Sequence, residues 1–492
     1  MPTLLRCRQL IDGTGAPPVA DAALVIDDGR IALAGAWSEV TAARPDAAHG
    51  EGWERIDAGD ATVVPGYIDA HCHVAWGFRD PVWLAVADDP AQALLYAAHT
   101  AQQALAAGIT TVGDCGSPGD LTLALRAGIE RGLIAGPRLF VCGPAITTTA
   151  GHGDYLGISV MADTADELRK AVRRCVRRGV DFIKVMATGG SADMPSNRLR
   201  AQYSVAELTA LVEDAHRLKR RVVAHVNGTE GIRNAVAAGV DCLAHCNWLG
   251  AEDGIIEYDH GVTLEMARRG VTVDLNIEGA LRTLAVDACE VGRGTERASG
   301  RAGERARAGE RASGRAGERA SRASAHEPEP RGPDAVDLAR SPFRPEGTRL
   351  ARSVPASQDW QLLGWLDAWE RPVNRWDIVR QMHETTGVAV YISSDFFGRR
   401  IAQFPRAITR LTTEAGVPPL ELIRMVTQAP ARGMGLEAEI GTLQPGKVAD
   451  LLLLDGDPLS DIAALTRVRA VFRGGRKVVE DGRLLLDAFG PH

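Results

Sequence analysis

The chain has 492 residues, more than one ordinary compact domain and suited to a large barrel with a smaller domain attached. Its hydrophobic share of 45% supplies a core, and a net charge of −7 argues against a nucleic-acid or membrane-surface partner. The 8 cysteines are scattered without CxxC spacing and read as reduced thiols of a cytoplasmic protein. No apolar run approaches the ~18 residues of a membrane span, and Met1–Arg8 lacks the apolar stretch of a signal peptide.

Residues 1–62 read as short strands separated by turns, with a hairpin signal at Asp28-Gly29 between two apolar runs. The next apolar run, Ala61–Ala70, ends in His71-Cys72-His73. On a strand, residues i and i+2 share a face. Two imidazoles about 6.6 Å apart, at two rises of ~3.3 Å, can therefore converge on one metal ion. Cys72 then points to the opposite face. Beyond this run strand and helix alternate. Strands are expected at 62–68, 110–114, 138–142, 181–187, 221–225, 241–245, 271–275 and 388–393, and helices at 91–107, 165–178, 205–218 and 375–386. Thr164 and Ser204 are credible helix caps, and Ser204 has Glu207 three residues later as a capping box. Eight strands, each followed by a helix or a slot for one, predict a (β/α)8 TIM barrel.

The pattern breaks at residues 293–322, which hold 9 Arg and 4 Glu, a charge of +5, and no large apolar residue. Such a stretch cannot offset its ordering entropy by burial and reads as a disordered insertion. A nucleic-acid or anion arm, or a frame artefact in the gene, would leave the same composition. Past the barrel, Asp450–Asp455 and Val468–Val479 are strands punctuated by glycine. The expected organisation is a composite β-sandwich domain from 1–62 and 437–492. It flanks a barrel over 63–436 with the insertion at about 291–350.

Barrel enzymes carry their chemistry at the C-terminal ends of the strands. There the sequence places His71 and His73, Lys184, His225, His245 and Asp395. Taken singly, His225 could be a satisfied polar residue, Asp395 a helix cap and Lys184 the partner of a carboxylate. Lys184 is the most discriminating, because a lysine inside an apolar strand is costly to bury. Desolvation lowers an amine's pKa and frees its neutral form to react. Carbon dioxide would convert it to a carbamate with two anionic oxygens able to bridge two metals. Tyr203, between the fourth strand and its helix, is a candidate contact for a substrate carboxylate.

The chain resembles the amidohydrolase superfamily, in particular its imidazolonepropionase and prolidase-like metal-carboxypeptidase branch. The likeness rests on Val64-Pro-Gly-Tyr-Ile-Asp-Ala-His-Cys-His73, Ile183-Lys-Val-Met-Ala-Thr-Gly-Gly190, Ala224-His225, Ala237–His245 and Gly441–Pro458. It covers nearly the whole chain except roughly residues 280–370. It implies that His71, His73 and Asp395 hold one divalent ion and that His225 and His245 hold a second, with carboxylated Lys184 bridging. Zinc is the expected metal. The Ile146–Tyr155 segment resembles the family's Gly-Gly-His loop, so His152 is expected to contact or orient the substrate carbonyl. The sequence departs from the family at Ser393-Ser394-Asp395, which keeps the Asp, and at Asn227, where many relatives have a second His.

The implied activity is hydrolysis of a C–N amide bond in a small substrate, a dipeptide or N-acyl amino acid, through a metal-activated hydroxide. Asp395 would serve as proton shuttle. Ring opening of a cyclic amide or imidazolone, deamination, or a catalytically impaired scaffold barrel are the alternatives. The partner is a small molecule, and homo-oligomerisation is left open.

Overall fold

A computed structural model describes residues 1–77, 80–154, 156–190, 196–252, 254, 256–277 and 375–489. All fall in one unit, Met1–Ala280 with Leu350–His492. The insertion expected at about 291–350 lies outside the described residues, as does Tyr155.

At the N-terminus β1 (Thr3–Leu10) and β2 (Val19–Asp27) pair antiparallel, and β2 returns as β3 (Arg30–Ala36) through Asp28-Gly29. Both turn residues are left-handed, with φ of 46° and 72°, as a two-residue hairpin of this type requires. β4 (Glu54–Asp57) and β5 (Thr62–Pro65) run parallel beside β1.

The apolar run 62–68, expected as one strand, is broken at Gly66. A Cβ there would run into the side chain of Thr110, so only glycine admits the close crossing. β5 ends at Pro65, beyond the expected boundary at 62. β6 (Tyr67–Cys72) starts a second, parallel set of strands. This set continues with β7 (Ile109–Asp114), β8 (Arg138–Val141), the short β9 (Ala145–Thr147) and β10 (Ser159–Met161), and β11 (Phe182–Met186). β12 (Arg221–Gly228), β13 (Cys242–Leu249), β14 (Thr272–Asn276) and β15 (Ala389–Ser393) complete it. β9 and β10 were not foreseen, because three-residue strands leave no periodicity in the sequence. Hydrogen-bonded order is β6-β7-β8 in one sheet and β10-β9-β11-β12-β13-β14-β15 in another. β6 starts only at the end of the first expected run, and the other seven long strands, β7, β8 and β11–β15, fall where the sequence placed them. The helices between them do so too: Ala165–Arg178 and Val205–Arg217 both open on capping boxes, Thr164/Glu167 and Ser204/Glu207. The fold is thus mixed α/β, and among the described residues no helix is long and apolar enough to cross a membrane.

The chain then returns to its first sheet. β16 (Leu451–Leu454) pairs antiparallel with β5, followed outward by β17 (Val468–Arg473), β18 (Arg476–Glu480) and β19 (Arg483–Leu484). Strands from both ends therefore form one nine-stranded sheet. Leu5, Leu24, Val63, Leu451, Leu453 and Phe472 share one core. Phe472 is 1% exposed within it. Phe472→Ala should lower the unfolding free energy by about 3–5 kcal/mol, as large-to-small changes of buried aromatics do, read by urea denaturation.

Candidate metal centre

The centre is built from β6, β11, β12 and β13 and the turn after β15; β12 and β13 run on past His225 and His245, which the sequence reading had placed at their ends. His71 and Cys72 close β6, and the period of two sends their side chains to opposite faces. The Cys72 thiol lies 3.7 Å from the Gly113 carbonyl, whereas His71 faces Lys184 of β11, Nε2 to Nζ at 3.3 Å. The turn after β15 comes back onto β6. Asp395 donates its backbone N–H to the His71 carbonyl at 2.7 Å, and His73 donates to the Phe396 carbonyl at 3.0 Å.

Asp395 is the common neighbour. Its Oδ1 lies 3.7 Å from His71 Nε2 and 3.6 Å from His73 Nε2, and its Oδ2 lies 3.8 Å from His245 Nδ1. These separations are too long for hydrogen bonds. They match donors around a shared ion: ligands ~2.0–2.2 Å from a tetrahedral metal stand ~3.3–3.6 Å apart. The donor atoms of His71, His73 and Asp395 all lie within 4.8 Å of one another.

The far ring nitrogens are fixed from behind. His71 Nδ1 lies 2.7 Å from Asp274 Oδ2, and His73 Nδ1 lies 3.0 Å from the Gly116 carbonyl. Each contact favours N–H at Nδ1 and leaves Nε2 with a lone pair toward the centre. Burial, then the neighbouring Lys184 charge, holds the His71 imidazole well below its ordinary range. The neutral ring is the form a metal ligand needs. Burial pushes Asp395 up, but His73, His71 and Lys184 outweigh it and the carboxyl lies below its usual range.

His225 stands beside His245, ring centroids 4.4 Å apart. Its Nε2 meets the Gly189 carbonyl at 3.1 Å and the Asn227 amide at 2.8 Å. Asn227 in turn accepts from Asn247 at 2.5 Å, so it orients His225. Burial, then His152 and His245, holds His225 well below its usual range. The His152 ring lies 4.3 Å from that of His225. It fills the space that a side chain at Gly190 would need, which explains a glycine there by packing. Tyr203 lies between β11 and its helix as expected; it is 2% exposed, and its hydroxyl donates to the Ala162 carbonyl at 2.9 Å. A carboxylate could accept from that hydroxyl only if this bond broke.

Three acids behind the centre escaped the sequence reading. Asp274 receives the Ser393 hydroxyl as well as facing His71. Asp69 takes the Ser394 N–H at 2.9 Å and hydroxyl at 2.5 Å. Asp114 accepts the Val74 N–H at 2.8 Å. Burial pushes Asp274 and Asp69 up to about 7 and Asp114 up to about 6. The signal available was their place inside otherwise apolar strands. The backbone is strained here as well. His245, Cys246, Trp248 and Asp395 adopt φ of 69°, 46°, 54° and 54°, a region costing non-glycine residues about 1–3 kcal/mol each.

The profile of the amidohydrolase family matches residues 62–313 and 348–478. The chain belongs to the amidohydrolase family. Ochratoxinase from Aspergillus niger is 31% identical over 304 residues, 56% of this chain and 61% of that protein. The chain thus spans about six-tenths of the length of the curated relatives it matches first. A shorter segment of 71 residues is 44% identical to imidazolonepropionase from Cupriavidus necator, 14% of this chain and 16% of that one. Among solved structures, a Xaa-Pro dipeptidase with bound methionine shares the fold at a TM-score of 0.71. It is 22% identical, over 97% of this chain and 99% of that one. Against this amidohydrolase background the His71–His73–Asp395 trio is a group of donors that could hold a metal ion.

Proposed function

We propose that this amidohydrolase hydrolyses the C–N amide bond of a small substrate, a dipeptide or N-acyl amino acid. His71, His73 and Asp395 hold one divalent ion and His225 and His245 the second, with carboxylated Lys184 bridging. Zinc fits this nitrogen and oxygen donor set. The observation that carries the reading is the Asp395 carboxylate within 4 Å of three imidazoles, two of them His71 and His73 presenting Nε2. The dipeptidase likeness in fold and the ochratoxinase likeness in sequence support an amide substrate. Closure of β6–β8 and β11–β15 into a barrel is part of this reading. It is supported by bonds across both seams, Asp181 N–H to the Val141 carbonyl at 2.8 Å and Asp395 N–H to the His71 carbonyl at 2.7 Å. The shared core of the terminal strands supports a composite small domain.

When bound, divalent ions supply Lewis-acid polarisation of the scissile carbonyl and acidify water. The residues of the chain do the rest. Asp395 is ionised at neutral pH, and its Oδ2 can take the proton of the attacking water and pass it to the leaving nitrogen. Asp274 and Gly116 keep His71 and His73 in one tautomer and one orientation. His152, against His225, orients the substrate carbonyl. A panel of dipeptides and N-acyl amino acids, assayed with zinc-loaded protein for released amine, tests the substrate class. Cleavage of at least one series is expected; cleavage of cyclic amides alone would overturn it.

A further inference from the structure

A second polar cluster ties together the loop after β6 and the loop after β15. Asp80, in the loop after β6, accepts the Arg399 guanidinium at both oxygens, Nε to Oδ2 and Nη2 to Oδ1, each 2.9 Å. The Tyr96 hydroxyl donates to Oδ2 at 2.8 Å, and the Val82 N–H to Oδ1 at 3.0 Å. Such a two-pronged, charge-assisted contact is geometrically specific. Its side chains come from three places, and the Asp80–Arg399 pair joins residues 319 apart. The Tyr96 hydroxyl is wedged where a side chain on either Gly77 or Gly398 would stand, so both loops are drawn against the helix Pro90–Ala106.

These are the loops that carry the metal-facing pair. One holds His73, Trp76, Gly77 and Asp80; the other runs from Asp395 through Phe397 and Gly398 to Arg399. Gly398 donates its N–H to the His73 carbonyl at 2.9 Å. Phe397 stacks on the His73 ring, centroids 5.2 Å apart at 29°. Trp76 meets His73 edge-on at 5.6 Å and Phe397 at 4.8 Å. The His73 ring is therefore held between one aromatic group from each arm, and the two arms are joined at Asp80. We infer that Tyr96, Asp80 and Arg399 are positioning residues that set the His73–Asp395 separation by clamping the loops after β6 and β15. The inference rests on the metal reading of that pair.

Zinc affinity by competition with a chromogenic chelator, alongside the melting temperature of the metal-free protein, tests it. Tyr96→Phe keeps the ring and removes one hydroxyl; Arg399→Gln removes the fork, and Arg399→Lys keeps the charge. Tyr96→Phe and Arg399→Gln are expected to weaken zinc binding about 10-fold or more, the range for groups that orient ligands. Arg399→Lys should recover part of the loss. Lower melting temperatures with unchanged zinc affinity would show a structural tie only and overturn the inference. If Arg399→Gln does not fold, Tyr96→Phe decides alone. Wild-type protein that takes up no zinc would overturn the metal reading itself, a different result from variants that bind as wild type does.

Discussion

Asp395→Asn is expected to reduce turnover by about 10²–10⁴-fold, the range of a lost general acid–base group, while the protein stays folded and retains metal. The substitution is close to isosteric, and asparagine tolerates the left-handed backbone better than most residues. The φ of 54° at this position therefore need not change. Asn keeps a carbonyl oxygen where Oδ1 lies between His71 and His73. It cannot take a proton at the other position, where Oδ2 faces His245. Steady-state rates together with metal content by mass spectrometry separate the two roles. Undiminished turnover would remove Asp395 as proton shuttle, and loss of metal with loss of turnover would leave it a ligand only.

Lys184→Met is expected to move activity and stability in opposite directions. Lys184 is 1% exposed in β11, and an amine buried so deeply opposes folding unless its charge is matched or neutralised. Methionine fills a similar length without that cost. The metal-free variant should therefore melt at or above the wild-type temperature. Wild-type protein should hold about two divalent ions per chain after full loading, and the variant fewer. Turnover should drop by roughly 10²–10³-fold, since a metal's stabilisation of developing charge is worth several kcal/mol. One ion per wild-type chain would end the bridging role of Lys184.

Seven strands, β7, β8 and β11–β15, and the capped helices were legible because hydrophobic period and capping chemistry are local properties. The His71/His73 pair was legible for the same reason, since i and i+2 share a strand face wherever the strand goes. The break at Gly66 was not, because its cause is Thr110, a residue brought close only by the neighbouring strand. Asp274 shows the same limit: its value lies in an approach of 2.7 Å to His71 across 203 residues of sequence. The bond made by Tyr203 was hidden for a related reason. A tyrosine between a strand and a helix looks the same in sequence whether its hydroxyl faces a substrate or the Ala162 carbonyl.

Local pattern alone tells which donors this protein owns and which strands carry them or end beside them, because side-chain period and strand order are read from neighbouring residues. How those donors meet is set by the fold. It put the Asp395 carboxylate among three imidazoles, aimed Nε2 of His71 and His73 inward by acceptors behind the rings, and joined the loops after β6 and β15 through Asp80. Those are distances between residues far apart in the chain, and no local propensity encodes them.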